Sequence, residues 1–166
     1  MSTLSIVHWS NYLAVHAGAA ATLTGLIFVA VSINLTRVLS VPGLTGRAAE
    51  SLMQLFGVLI VSTIALIPDQ PALALGTEIL VIGLGLWLAQ TMVQIRYMRT
   101  NKTGHLRRWL AIRMMQTQFA NIPFCIAGIL LLRDSPAALY WLAPGFIFSL
   151  VAGVSSAWVL LVEILR

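Results

Sequence analysis

The chain has 166 residues, of which 59% are hydrophobic and 9% charged, and its mean hydropathy is +0.93. Because a soluble domain carries roughly a quarter charged residues, this composition excludes an ordinary water-soluble domain and indicates that lipid surrounds most side chains. The net charge of +5 does not indicate nucleic-acid binding, since most of the basic residues fall in and around one connection between predicted helices.

Five apolar stretches are each long enough to cross a bilayer. Taken in chain order, the predicted helices are 12–37, 47–67, 72–97, 106–132 and 136–165. Pro123 in the fourth helix removes one backbone donor and predicts a kink there. We therefore predict a single all-α transmembrane bundle of five helices formed by residues 1–166. A four-crossing bundle with one peripheral segment is the alternative, and the length of every segment argues against it.

Charge is distributed unevenly over the predicted connections. The turns at 68–71 and 133–136 carry little positive charge, and Arg133 is followed directly by Asp134. Because cytoplasmic loops are enriched in Lys and Arg, we predict that the N-terminus lies outside and the C-terminus in the cytoplasm. The first residues lack the positive region of a secretory signal, so we expect the first helix to be retained. The residues expected to meet anionic lipid are Arg96, Arg99, Lys102, Arg107 and Arg108.

Small residues recur at every fourth position on two of the predicted helices, which places them on one face of each helix. The stripe on the first helix consists of Ala17, Ala21 and Gly25. The stripe on the last helix consists of Gly145, Ser149, Gly153 and Ala157. Small side chains let two helix backbones approach closely in a membrane. We expect these stripes to pack against other helices, including those of a second copy of the chain or of another membrane protein.

His16 and Glu78 lie on different predicted helices, each roughly 6 to 10 Å inside the outer membrane boundary by helical rise. Ionisable groups at this depth are costly and are either paired or used. As a pair they can relay protons, and the alternative is a hydrogen bond that fastens the first helix to the third. A metal site is disfavoured, because zinc takes three or four ligands and only His8 lies nearby.

A larger polar group is predicted in the inner half of the bundle. Its members are Glu50, Gln54, Gln90, Gln94, Arg113, Gln116 and Asn121, with Asn34, Arg47 and Glu163 around them. We expect an ion pair between Glu50 and Arg113, because both lie one or two turns inside the membrane. The group either lines a vestibule open to the cytoplasm or holds the helices together. Amides offer donors and acceptors without charge, which suits neutral or hydrated solutes.

No catalytic motif is present in the sequence. HExxH, GxSxG, paired cysteines and a phosphate-binding glycine loop are all missing, and Cys125 is the sole cysteine. We therefore expect no enzyme activity, no cofactor and no metal site. Two hypotheses remain: an ion or small-solute pathway that works as an oligomer, or a non-catalytic accessory subunit that binds another membrane protein.

One run of residues in the first half of the chain carries a family resemblance. GAAATLTGLIFVAVSINL at 18–35 is followed by Arg47, Ala48 and Ala49 and then by LIP at 66–68. This half of the chain resembles a group of uncharacterised small bacterial multi-pass membrane proteins. The resemblance implies a place in the bacterial inner membrane, and it supplies neither an activity nor catalytic residues.

Overall fold

A computed structural model describes residues 4–41, 43–100 and 104–165, with side chains described for 8–41, 43–99, 111–158 and 162. All regular structure in these ranges is helical. The helices are α1 (Leu4–Ile33), α2 (Leu35–Ser40), α3 (Leu44–Ala65), α4 (Ala72–Thr100), α5 (Gly104–Leu132) and α6 (Leu142–Leu165), with one 3-10 turn at Leu139–Trp141 before α6. The predicted all-α helical bundle is confirmed.

Five helices in the described part of the chain are long and apolar enough to cross a membrane, judged by length and composition. The candidate spans are His8–Ile33, Leu44–Ala65, Ala72–Arg99, Ala111–Leu132 and Leu139–Trp158. Large apolar side chains also cover the outside of the bundle, including Leu26, Val81 and Ile147, each more than half exposed. A water-soluble monomer rarely exposes apolar patches on this scale, so these are the features of a multi-pass membrane protein.

Each of the five predicted helices differs from the structure at one end or both, and the two largest differences lie in the first helix, which begins at Leu4, and in the last. The first is interrupted at Asn34, whose side-chain Nδ2 donates to the carbonyl of Ala30 at 3.0 Å. Asn side chains compete with the backbone in this way. The backbone of Asn34 departs from helical geometry, with φ −107° and ψ 22°, between the end of α1 and the start of the short α2. The last predicted helix starts at Leu142 rather than at 136. Pro144 therefore lies in the first turn of α6, where its missing N–H is not needed.

α3 occupies the centre of the bundle, with α1, α4 and α6 packed around it, while α4 and α5 form the most extensive pair. Glycine makes the α4–α5 contact close. A Cβ placed on Gly128 would lie 2.9 Å from the backbone nitrogen of Leu80 and 3.0 Å from the carbonyl oxygen of Gly76. Only a residue without a Cβ fits between backbones this close. Gly76 and Gly83, about two turns apart on one face of α4, are the sequence signal for this contact.

The two ends of the bundle differ in chemistry. At one end, here called the basic end, Gly43 in the α2–α3 connection lies against the ring of Tyr97, close to Arg96 and Arg99 at the end of α4. At the other, here called the aromatic end, the rings of Trp9 and Tyr140 meet edge to face with centroids 5.1 Å apart. The apolar core lies toward the aromatic end, and most of the buried polar side chains lie toward the basic end.

Candidate polar site

The polar site begins with the predicted ion pair between Glu50 on α3 and Arg113 on α5. Arg113 Nη2 donates to Glu50 Oε2, and the side chains of Arg113 and Glu50 are only 12% and 10% exposed. A buried charge needs a partner of opposite sign, because the energetic cost of removing it from water is large. This contact therefore fixes the beginning of α3 against α5.

Amide side chains extend the site deeper into the bundle. Gln54 Nε2 donates to Gln90 Oε1 at 2.9 Å, and Asn121 Nδ2 donates to the same oxygen at 3.2 Å. Gln90 and Asn121 are completely buried. Gln94, one turn from Gln90 on α4, donates its Nε2 to Thr117 Oγ1 at 2.8 Å. The amides thus join α3, α4 and α5 in one hydrogen-bonded network.

Helical spacing explains why these side chains meet. Glu50 and Gln54 are four residues apart on α3, Gln90 and Gln94 are four apart on α4, and residues four apart share one helix face. The corresponding row on α5 is Arg113, Thr117 and Asn121. Each helix contributes one such row, and the three rows converge.

Thr117 is not among the predicted site residues, yet it connects the ion pair to the amides. Its hydroxyl donates to the carbonyl of Arg113 at 3.1 Å and accepts from Gln94. Its position four residues from both Arg113 and Asn121 is the sequence signal that identifies it. The predicted Gln116 lies on the adjacent face of α5 and is exposed. The site thus replaces one predicted amide with a hydroxyl in its interior.

Several polar atoms of the site have no hydrogen-bond partner among the described residues. They are Gln90 Nε2, Gln94 Oε1 and Asn121 Oδ1, all on side chains that are at least 99% buried. Leaving a buried donor or acceptor unpaired costs about 1–3 kcal/mol. Buried hydroxyls elsewhere in the bundle, such as that of Ser62, are also unpartnered. The three amide atoms belong to one network, however, which is a reason to consider the network as a binding site.

A small cavity of about 10 Å³ lies beside the network. It is lined by Glu50, Gln54, Gln90, Arg113, Gln116, Thr117, Ala152 and Ser156. A space of this size holds about one water molecule. Because the exposed Gln116 is one of the lining residues, the cavity reaches the surface of the bundle on the α5 side.

An aromatic layer separates the polar site from the aromatic end. The Phe124 and Phe146 rings are completely buried, with centroids 5.6 Å apart. The Phe124 ring lies on Gly145, where a Cβ would come within 3.0 Å of it. Phe124 is one turn beyond Asn121 on α5, so this layer begins where the polar network ends. We refer to Phe124 and Phe146 as the aromatic barrier.

His16 and Glu78 are not brought together. His16 Nδ1 bonds to the carbonyl of Tyr12 at 2.9 Å, and its ring stacks on Phe146 with centroids 5.3 Å apart. Glu78 Oε2 instead accepts from Gln70 Nε2 in the α3–α4 connection at 2.5 Å. The reason lies in the helix order, since α1 packs on α3 and α6 whereas α4 packs on α5 and α3. The proposed contact between the first and third membrane spans does not form.

The two small-residue stripes have opposite surroundings. The α6 stripe is buried within the chain, and Gly153, for example, leaves room for Leu55, whose side chain would lie 3.0 Å from a Cβ at that position. On α1, Ala21 and Gly25 are exposed, and no atom lies within 4 Å of where a Cβ on Gly25 would be. α1 packs into the bundle with a different face, composed of Leu13, Ala20, Thr24 and Ile27. The α1 stripe thus faces away from the bundle.

Of the predicted lipid-binding residues, Arg96 and Arg99 are exposed at the end of α4. Four predicted residues have side chains outside the part of the chain whose side chains the structure describes: Lys102, Arg107, Arg108 and Glu163. Within the described residues, no group of three or more His, Cys, Asp or Glu side chains converges as metal ligands would.

Comparison with known proteins gives no further assignment. The chain matches no protein-family model, and searches of curated proteins and of solved structures return no significant match. The site is therefore interpreted from its own chemistry.

Proposed function

We propose that this multi-pass membrane protein provides a pathway for an ion or a small solute, with the polar site as its selective part. Three unpartnered polar atoms at Gln90, Gln94 and Asn121, buried deep within membrane-spanning helices, are the observation that supports this proposal. Polar groups at such depth are expensive and are associated with transport pathways. Most buried polar side-chain atoms in folded proteins have a hydrogen-bond partner, so three unpartnered amide atoms in one network favour a ligand over helix packing alone.

The aromatic barrier gives this pathway a closed state. Pathways of this kind are closed by apolar constrictions that exclude water, and Phe124 and Phe146 form such a constriction directly beyond Asn121. Pro123 precedes Phe124 and has no N–H to donate to the carbonyl of Phe119, which weakens α5 at that point. In this proposal, α5 bends at Pro123 to move the Phe124 ring and open the route.

We further propose that the protein resides in a bacterial inner membrane without enzyme activity, with its basic end toward the cytoplasm and anionic lipid. The arginine content of that end supports this orientation, since cytoplasmic connections are enriched in Lys and Arg. The resemblance of residues 18–35 to bacterial membrane proteins supports the location. Cysteine labelling at position 69, in the α3–α4 connection, tests the orientation, and reactivity from the cytoplasmic side would contradict it.

Flux measurements on purified protein in liposomes test the pathway. We expect passage of an ion or a neutral solute above that of empty vesicles, and we expect Gln54→Leu to reduce it. Glu78→Gln is the matched control, because Glu78 is also a polar residue of a membrane-spanning helix but lies outside the site. Flux equal to that of empty vesicles over a broad panel of ions and solutes would refute the proposal.

The second candidate function is that of a non-catalytic accessory subunit, and the exposed α1 stripe is the observation that favours it. Next to this stripe, a groove of about 190 Å³ runs between α1 and α6, lined by apolar residues including Leu26, Ile27 and Trp158. A small-residue face beside an apolar groove suits a helix of a second copy or of another membrane protein.

Substitution of a glycine on the stripe tests this second function. Gly25→Leu should lower the oligomeric state or remove a partner recovered by cross-linking, whereas Gly85→Leu should not. Both glycines are exposed and have open space around them, but Gly85 lies on α4, away from the stripe. An unchanged oligomeric state and unchanged cross-links in Gly25→Leu would exclude the stripe as a docking face.

A further inference from the structure

We infer that the polar site accepts a single uncharged molecule, of the size of water and able both to donate and to accept hydrogen bonds, and that it excludes ions. This inference rests on the proposed pathway and identifies the class of species that uses it. Water and ammonia both have this chemistry. Three properties of the site support the assignment: its charge balance, the types of its unpartnered atoms and its volume.

The charges at the site are already compensated. Among the described residues that line the cavity, the charged ones are Glu50 and Arg113, and they are paired with each other. An entering cation therefore finds no free carboxylate, and an entering anion must compete with Glu50 for Arg113. Burial of an uncompensated ion costs several kcal/mol even after the protein relaxes, on the order of the cost for each ion of a buried pair.

The volume of the site excludes a hydrated ion. About 10 Å³ accommodates one water-sized molecule and leaves no space for a hydration shell. An ion that sheds its shell needs a ring of ligands to replace it, as in the carbonyl rings of potassium channels. The acceptors Gln90 Oε1 and Thr117 Oγ1 are already occupied by protein donors. Two of the lining oxygens are therefore already engaged, which disfavours the site as a ring of ligands for a dehydrated ion.

The unpartnered atoms match a small neutral molecule. Gln90 Nε2 is a donor without an acceptor, while Asn121 Oδ1 and Gln94 Oε1 are acceptors without a donor. Reversing the Gln90 amide would not remove the mismatch, because its Oε1 already accepts from both Gln54 and Asn121. Of these three residues Gln90 lines the cavity, whereas Gln94 and Asn121 lie beside the cavity in the network. A molecule in the cavity accepts from the Gln90 amide nitrogen and donates to an oxygen of the lining residues Glu50 or Gln54. Water and ammonia do this with one heavy atom.

Three permeability measurements on proteoliposomes test the inference. Stopped-flow light scattering after an osmotic step with sucrose reports water permeability. Alkalinisation of an internal pH dye after addition of ammonium chloride reports ammonia entry, and valinomycin-free potassium and chloride efflux reports ion permeability. We expect a severalfold increase over empty vesicles in the water arm, the ammonia arm or both, and no increase for potassium or chloride.

Gln90→Leu removes the unpartnered donor together with the acceptor of two hydrogen bonds, and it should return the permeability to background. Gln118→Leu is the matched control, since Gln118 is half-buried on α5 and bonds to Trp87 outside the cavity. If Gln90→Leu does not fold, Gln54→Leu takes its place, because it leaves the bond between Asn121 and Gln90 intact. Gln54→Leu should also reduce the neutral flux.

The possible results separate this inference from the proposed function. Potassium or chloride flux that Gln90→Leu or Gln54→Leu abolishes would overturn the neutral-ligand assignment and keep the pathway. A neutral flux that is equal in the site variants and in Gln118→Leu would overturn the assignment of the site. The absence of flux for all species would overturn both the pathway and its selectivity.

Discussion

Adding a single methyl group at the α4–α5 contact should separate these two helices, whereas the same change at an open glycine should not. In Gly128→Ala the new Cβ would lie 2.9 Å from the backbone nitrogen of Leu80, and ordinary contact begins at 3.4 Å. The neighbours are backbone atoms of another helix, so no side chain can rotate away. The helices must move apart locally by about 0.5 Å, the difference between these two distances.

The expected cost follows from this displacement. Forcing an extra methyl group into a well-packed contact destabilises a protein by about 1–3 kcal/mol. Alanine also favours the helix over glycine by up to about 1 kcal/mol, which acts in the opposite direction. Gly85→Ala on α4 gains the same helix propensity, but no atom lies within 4 Å of its new methyl group. The difference between the two variants therefore isolates the packing cost, which should be about 1–3 kcal/mol.

Reversible unfolding in mixed micelles measures this difference. The mole fraction of sodium dodecyl sulfate is raised, and unfolding is followed by the fluorescence of the five tryptophans. Gly128→Ala should unfold at a lower mole fraction than the unsubstituted protein, while Gly85→Ala should unfold at the same or a higher one. Equal midpoints for the two variants would refute the close approach of α4 and α5.

Three further predictions concern other parts of the bundle. Arg113→Met leaves Glu50 buried without its partner and should lower the free energy of unfolding by about 3–5 kcal/mol, and adding Glu50→Gln should restore most of this loss in the same micelle assay. Phe146→Leu thins the aromatic barrier at a cost below the about 3–5 kcal/mol of a Phe→Ala change. It should raise the flux through the pathway, and an unchanged flux would argue against the barrier as the closing element. Asn34→Ala removes the side-chain bond to the Ala30 carbonyl and should join α1 to α2. Spin labels placed on either side of position 34 should then report the distance of a continuous helix, and an unchanged distance would mean that another contact sets the break.

The fold class follows from features that do not depend on the three-dimensional arrangement. Low charge and long apolar stretches exclude a water-exposed fold, and backbone polar groups in lipid require helices or a closed barrel. The helix ends are less predictable, because they depend on individual side chains. Asn34 interrupts a hydrophobic run that is otherwise continuous, and its side chain bonds to its own helix.

Part of the site could also be predicted from the sequence, because helical spacing does not depend on how the helices pack. Spacing of four residues places Glu50 with Gln54 and Gln90 with Gln94. Arg113, at the same depth on another helix, was the expected partner of Glu50. Equal depth in the membrane did not predict the positions of His16 and Glu78 correctly, because two residues at the same depth meet only if their helices are neighbours. That order depends on packing contacts such as the glycine approach between α4 and α5, which the local pattern around His16 does not encode.

A stripe of small residues presented a different ambiguity. Small residues recur with the same spacing from Gly145 to Ala157 and from Ala17 to Gly25. Such a stripe packs equally well against a helix of the same chain or of another molecule. The structure separates the two stripes: the first is occupied within the chain, and the second faces outward. The spacing of small residues thus predicts which helix face packs closely, but not which helix it packs against.

The glycine contact between α4 and α5 has a mechanical consequence for the whole bundle. Two helices whose backbones touch cannot slide past each other without collision, so the hairpin of α4 and α5 behaves as one stiff body. The boundary between this hairpin and the central α3 contains longer, hydrogen-bonded side chains, which can exchange partners as they shift. Any working motion of the protein would therefore be concentrated along that polar boundary, where Gln54 and Glu50 would release one set of partners and take up another.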